Sequence, residues 1–289
     1  MTVQSPPRDV GIASADGTPL RGWYWTRTEP RAVLVISHGF GEHGGCYRHV
    51  AEALGPALDL EVLAVDQRGH GRSPGRRGVV RRYEDLIADV QAALDWSAHE
   101  RPGLPLYVLG HSNGGLVAML LVMARDRTPA GGTPASPAGL ILSNPALRIV
   151  APIPPLKLLL GRGLQYLAPG VTLSGRLDAT LMTRDPVSQR EHEIDPVRHT
   201  RISAPYFFGM TAGGKRAAAG AAAIRLPLLM LLGGSDPVIS SANSIAVFDR
   251  LGSTDKTLRV YPEMLHEPLN ELGKEEVFAD MEAWLKPRL

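Results

Sequence analysis

Two pentapeptides in this chain place a serine between glycines: Gly110-His-Ser112-Asn-Gly114 and Gly71-Arg-Ser73-Pro-Gly75. A serine so placed can attack an acyl carbon when a strand enters the motif and a helix leaves it, because the hydroxyl then stands on a sharp turn. Ser112 meets that condition, with LPLYVLG before it and GLVAMLLVMA after it. Ser73 lies in the polar run DQRGHGRSPG and is followed by Pro74, which has no NH to offer a developing oxyanion.

A serine hydroxyl is a weak nucleophile at neutral pH and needs a base, which in turn needs an orienting acid. On a sheet that carries an elbow serine, the acid and then the base follow in chain order, at the carboxyl ends of later strands. Asp236 ends LPLLMLLGGSD and His266 follows TLRVYPEML. Of the nine histidines, His38, His43, His49, His70, His99 and His111 precede Ser112, and His192 and His199 fall where the strand rhythm is interrupted. His266 alone follows the last strand. Asp249 sits in a helix-like stretch and Asp255 in a polar turn, so Asp236 is the candidate acid, although Asp236-Pro237 is also good turn chemistry. The oxyanion needs two preorganised NH donors. The candidates are Asn113, directly after the nucleophile, and Phe40, in the Ser37-His38-Gly39-Phe40 loop after the first parallel strand. His38 reads as a structural imidazole of that loop.

Positioning these groups takes a βαβ scaffold. Asp16-Gly17 supplies a turn for an antiparallel hairpin over residues 9–27. Parallel strands follow at 32–39, 60–67, 104–110, 138–145, 226–234 and 257–263; all but the first and last approach continuous apolar runs, as strands covered on both faces do. Tyr83, Leu86, Ile87, Val90 and Leu94 form one helical stripe, and Val277, Phe278, Met281, Trp284 and Leu285 another. Residues 128–139 read as a surface loop. From Asn144 to about Ala223 the rhythm stops, which predicts an insertion holding the Leu-rich piece 154–167 and a helical piece at 217–224. The expectation is one α/β domain, a mostly parallel sheet flanked by helices, with core 1–144 and 224–289 and an inserted cap of about 145–223.

Composition narrows the partners. Lys plus Arg number 31 against 29 Asp plus Glu, a net charge of +2, which gives no field for nucleic acid. The arginines at 68, 72, 76, 77, 81 and 82 are favoured as a solvated loop and helix start over a phosphate-binding patch. The single cysteine, Cys46, fits a reducing, cytoplasmic setting. MTVQSPPRDV lacks the apolar core of a secretory signal, and the longest apolar stretch, 226–232, is far short of the roughly 20 residues a bilayer span needs. No H-E-x-x-H, P-loop or dinucleotide fingerprint occurs, so neither a metal nor a cofactor is expected. Surface contact with membranes or lipid aggregates through the cap stays open, and nothing in the sequence sets an oligomeric state.

The segments SHGFGEH (37–43), DQRGHGRSPGRRG (66–78), GHSNGG (110–115), TRDPVSQREHEIDPVRH (183–199), GGSDPVI (233–239) and YPEMLHE (261–267) together resemble the monoacylglycerol lipase family of α/β-hydrolases. The resemblance spans nearly the whole chain. It implies a serine carboxylic ester hydrolase with the triad Ser112, Asp236 and His266, a cap over an apolar acyl tunnel, and a small acyl ester as substrate. One departure stands out: the family usually has methionine where this chain has Asn113.

Overall fold

The computed structural model describes residues 6–125, 134–175 and 178–289. Its strands are β1 (Arg8–Ala13), β2 (Pro19–Trp25), β3 (Ala32–Ser37), β4 (Leu60–Asp66), β5 (Leu106–His111), β6 (Gly139–Ser143), β7 (Thr172–Ser174), β8 (Arg201–Ser203), β9 (Leu228–Gly233) and β10 (Lys256–Tyr261). The helices are α1 (Arg48–Leu58), α2 (Glu84–Glu100), α3 (Asn113–Arg125), α4 (Pro155–Leu167), α5 (Ala179–Met182), α6 (Pro186–Ile194), α7 (Ala204–Ala219), α8 (Ser241–Asp249) and α9 (Lys274–Leu285).

Eight strands form one sheet in the order β1-β2-β4-β3-β5-β6-β9-β10, parallel except where the β1-β2 hairpin joins β4. Because side chains alternate along a strand, the sheet feeds two cores. Val33 and Val35 of β3 face α2, α3 and α7, whereas Leu34 and Ile36 face α1 and α9. The α2 stripe (Leu86, Val90, Leu94) and the α9 stripe (Val277, Met281, Trp284, Leu285) dock on opposite faces. Each fully buried aliphatic side chain there contributes roughly 1.5–3 kcal/mol. The hairpin, the six parallel strands and both stripes fall where the sequence places them. One difference is that β3, expected to be less completely apolar, is buried along its whole length. Among the six parallel strands only the edge strand β10 is half-exposed.

Strand β6 pairs directly with β9, from Leu140 opposite Leu228 to Ser143 opposite Leu231. Everything between them therefore leaves the sheet and returns without disturbing it. This excursion holds α4 to α7 and a ribbon of β7 against β8. Its two long helices behave differently. In α7, Tyr206, Met210 and Ala217 are buried in the main core, whereas α4 leaves Leu156, Leu159, Leu160, Tyr166 and Leu167 exposed. The helix expected over 217–224 stops at Ala219 and resumes as a tight turn at Ala221–Ala223. Gly220 marks the break, under Met123, with which a methyl group there would overlap. Of the loop expected at 128–139, residues 128–133 lie outside the described residues, and 134–138 lead into β6. No described helix is long and apolar enough to cross a membrane.

Candidate active site

Strand β5 delivers Ser112 onto the first turn of α3 with φ +50°, a left-handed conformation that a non-glycine residue adopts only under constraint. The constraint is visible: Ser112 NH donates to Ser143 O at 2.9 Å, and Ser112 O accepts from Leu116 NH at 3.1 Å and Ala146 NH at 2.9 Å. Gly114 is required by close packing, since a methyl group on it would overlap the carbonyl oxygen of Ser37 at the end of β3. Helix α3 thus sits directly on the strand from which the Phe40 loop starts.

Asp236 follows β9 and His266 follows β10, so the sheet brings together three residues up to 154 positions apart. His266 Nδ1 donates to Asp236 Oδ2 at 2.8 Å, and Ser112 Oγ donates to His266 Nε2 at 2.9 Å. The other oxygen of Asp236 accepts from the NH groups of Val238 (2.7 Å) and Ile239 (2.9 Å), so its turn chemistry and its contact with His266 use different atoms. Burial pushes the Asp236 carboxyl up, but the His266 charge, the hydrogen bond to it and the two NH donors outweigh this and hold it below the usual range. Burial likewise pushes His266 down, and Asp236, helped by Glu267 and Glu42, lifts it above its ordinary value.

The Phe40 loop is fixed from both sides. His38 Nδ1 donates to Gly39 O at 2.7 Å while its Nε2 accepts from Gln67 NH at 3.0 Å, the structural role expected of it. Glu42 Oε2 accepts from Gly39 NH at 2.7 Å, and Gly41 O accepts from His199 NH at 3.0 Å. Among the described residues no hydrogen bond takes up the NH of Phe40 or of Asn113.

Several residues with a part here were not assigned from the sequence. Asn144, at φ +40° after β6, donates through Nδ2 to Leu265 O (3.1 Å) and His266 O (2.7 Å) and accepts from Gly233 NH (3.0 Å), stitching the His266 loop to β9. A buried ionic cluster joins Glu42 and Glu267 from the core to Arg198 and His192 from the excursion, with Arg198 3.4 Å from Glu42 and His192 2.9 Å from Glu267. Their signal was in the segments around 42, 192–198 and 267, where charged residues interrupt otherwise ordinary loops. Glu42, His111 and Glu267 bring ligand-type atoms within 4.8 Å of one another. The Arg198 guanidinium and the Tyr47 hydroxyl already occupy the Glu42 carboxylate, so the cluster suits an internal ion pair better than a cation. Burial and the Glu267 charge push Glu42 up, and Arg198, His111 and the Tyr47 hydrogen bond hold it below its ordinary value.

Ser112 and His266 open onto a cavity of about 570 Å³. Ile149, Leu158, Ile202, Phe207, Phe208 and Met210 supply apolar lining, and Glu42, His192, Arg198 and Glu267 belong to its polar part. Ser73, by contrast, accepts from Arg21 NH at 2.9 Å and donates its hydroxyl to Asp66 O rather than to an imidazole. Part of the arginine run is used internally: Arg68 pairs with Asp16 and Asp89, and Arg72 with Asp9 and Asp66 while lying 3.7 Å over the Trp23 ring, whereas Arg76, Arg81 and Arg82 are exposed.

Comparison with known proteins places the chain in a family. The family model Hydrolase_4, described as serine aminopeptidase, S33, matches residues 28–273. The chain is 34% identical over 289 residues to the monoacylglycerol lipase of Mycolicibacterium smegmatis, covering 99% of this chain and all of that one. It is 32% identical over 283 residues to the human monoglyceride lipase, covering 96% and 90%. The crystal structure of Paleococcus ferrophilus monoacylglycerol lipase superimposes with a TM-score of 0.82 at 29% identity, covering 93% of this chain and 99% of that one. With its mostly parallel sheet and these relatives, the chain belongs to the Hydrolase_4 family and is a serine hydrolase of the α/β-hydrolase fold.

Proposed function

We propose that the protein hydrolyses monoacylglycerols and similar single-chain carboxylic esters through an acyl-enzyme formed on Ser112. The observation that carries this reading is the hydrogen-bonded line Asp236–His266–Ser112 opening onto a cavity that is apolar over most of its lining and charged in one part. His266 takes the proton as Ser112 Oγ attacks the ester carbonyl, and the NH groups of Phe40 and Asn113 receive the oxyanion. The tetrahedral intermediate collapses as His266 returns its proton to the leaving alcohol. Water, deprotonated by His266, then attacks the acyl carbon; the bond from Ser112 Oγ to that carbon breaks as His266 returns the proton to Oγ, and the acid leaves. Asp236 keeps the imidazole in the tautomer that presents Nε2 as a base.

Residues 145–223 serve as a cap in this reading, because α4 and α7 both contribute walls of the cavity. Burying an acyl chain against those walls yields about 0.8 kcal/mol per CH₂, so activity should depend on chain length. Helix α4 lines the cavity with Leu158 and Gly161 while Tyr166 and Leu167 stand 81% and 88% exposed on its outside. An apolar outer face on a helix that walls the cavity suits transient contact with a membrane or lipid aggregate holding such substrates.

The test is hydrolysis of a chain-length series of p-nitrophenyl esters and monoacylglycerols by the wild type beside Ser112→Ala. Loss of activity in the variant and a clear chain-length optimum in the wild type are expected. Equal turnover by the two proteins refutes Ser112 as nucleophile, and flat activity from acetate to long-chain esters refutes the acyl site.

A further inference from the structure

The residue after the nucleophile, Asn113, contributes an NH in the mechanism above, but its side chain goes elsewhere. It is completely buried and absent from the cavity lining. Its Oδ1 accepts from the Tyr83 hydroxyl at 2.6 Å, and its Nδ2 donates to the Tyr206 hydroxyl at 3.0 Å. Tyr83 directly precedes α2 in the core; Tyr206 belongs to α7, on the excursion. The amide therefore bridges the two parts of the molecule at the first residue of α3. A methionine at this position would leave both hydroxyls without these partners in a dry interior, a costly state for a polar group.

Tyr206 has a second contact. Its ring meets the Phe40 ring edge-on, at 5.5 Å between centroids and 86° between planes. Phe40 also packs against His70 and His199, at 6.1 and 5.6 Å. Among the described residues, Tyr206 is the one that joins a Phe40 ring contact to a hydrogen bond with the Asn113 side chain. Tyr206 itself is fully buried and does not line the cavity, although its neighbours Ala204, Phe207 and Phe208 do.

We infer that Tyr206 is a positioning residue for the oxyanion hole, holding the Phe40 and Asn113 backbones in register from the α7 side through a ring edge and a hydrogen bond. The inference rests on the assignment of Ser112 as nucleophile with Phe40 and Asn113 as donors. Acting only through the two NH groups, Tyr206 affects the tetrahedral state and leaves ground-state binding of the acyl chain alone. Its signature is a fall in kcat at nearly constant KM.

Tyr206→Phe removes the hydroxyl and keeps the ring edge on Phe40. We expect kcat to fall about tenfold with KM within about twofold, less than the roughly hundredfold or greater loss from deleting a donor outright. The chain-length optimum should not move. Affinity for a trifluoromethyl ketone, whose carbonyl carbon bonds to Ser112 Oγ while its oxygen becomes the oxyanion and the serine proton passes to His266, should fall by the same factor as kcat/KM. Tyr83→Phe breaks the bridge from the other side and should act in the same direction, which keeps the inference testable if Tyr206→Phe does not fold. Wild-type kcat and ketone affinity in the folded variants, measured well below their melting temperatures, overturn it. So does a shift in KM together with the chain-length optimum, which would make Tyr206 part of the acyl site. Full turnover by Ser112→Ala sinks the underlying mechanism, and this assignment with it, whereas an inactive Ser112→Ala beside an unaffected Tyr206→Phe overturns the positioning role alone.

Discussion

Gly110–Gly114 and Gly71–Gly75 follow one five-residue pattern and are built for different ends. Around Ser112 the pattern bends a fully buried strand into a helix, places the serine at φ +50° and leaves its hydroxyl facing an imidazole. Around Ser73 both glycines also have positive φ, +53° and +108°, but the serine hydroxyl is spent on Arg21 NH and Asp66 O, pinning a polar turn to the edge hairpin. The pattern specifies a tight turn; the elements that enter and leave it decide whether the serine can do chemistry.

That contrast can be broken or sharpened by mutation. The largest effect is expected from Ser112→Ala, which should lower kcat by roughly 10⁶-fold by analogy with other serine hydrolases, measured on a short p-nitrophenyl ester. Asp236→Asn should cost about 10⁴-fold, since the amide favours the wrong imidazole tautomer. Gly114→Ala forces backbone away from Ser37 O and should lose about 1–3 kcal/mol of stability along with about a hundredfold in kcat. Stable, fully active Gly114→Ala protein would show that the elbow tolerates slack. A pH profile follows from His266, whose pKa lies above its ordinary value of 6.5. The base must be neutral, so kcat/KM should fall on the acid side with a midpoint above 6.5 and be flat at higher pH. In Asp236→Asn the residual activity should show that midpoint moved down, because burial then acts on His266 without its counter-charge. The smallest effect belongs to Ser73→Ala: unchanged kcat, and about 1 kcal/mol lost in denaturant unfolding as Arg21 NH and Asp66 O lose their partner.

Much of the scaffold was legible in the chain because strands buried on both faces are apolar over most of their length, as Leu228–Gly233 is throughout and Leu60–Asp66 is apart from Glu61 and Asp66. Asp236 could be singled out for the same reason, because the end of such a run is sharply marked, and His266 because it alone of the nine histidines follows the last strand. The excursion was less readable. Three-residue strands such as Thr172–Ser174 carry no period, and nothing in PPLKLLLGRGLQYL or APYFFGM says that the first helix stays outside while the second enters the core. Pairings such as Tyr83 and Tyr206 with Asn113, or Arg198 with Glu42, link residues 30 to 156 positions apart and depend on where α7 and the 192–199 segment settle. Asn113 drew notice as a departure in sequence, but only its two hydroxyl partners explain why an amide can stand there.

The packing of Gly114 against the carbonyl of Ser37 has a mechanical consequence. The turn that carries Ser112 and the strand that launches the Phe40 loop touch backbone to backbone, with no side chain between them to change rotamer. Protein interiors are close to incompressible at such contacts. On this side the hole behaves as a rigid stop, and pressure or moderate heating should leave its width nearly fixed. Whatever compliance it has must come from the α7 side, where a side-chain hydrogen bond and an aromatic edge complete the enclosure.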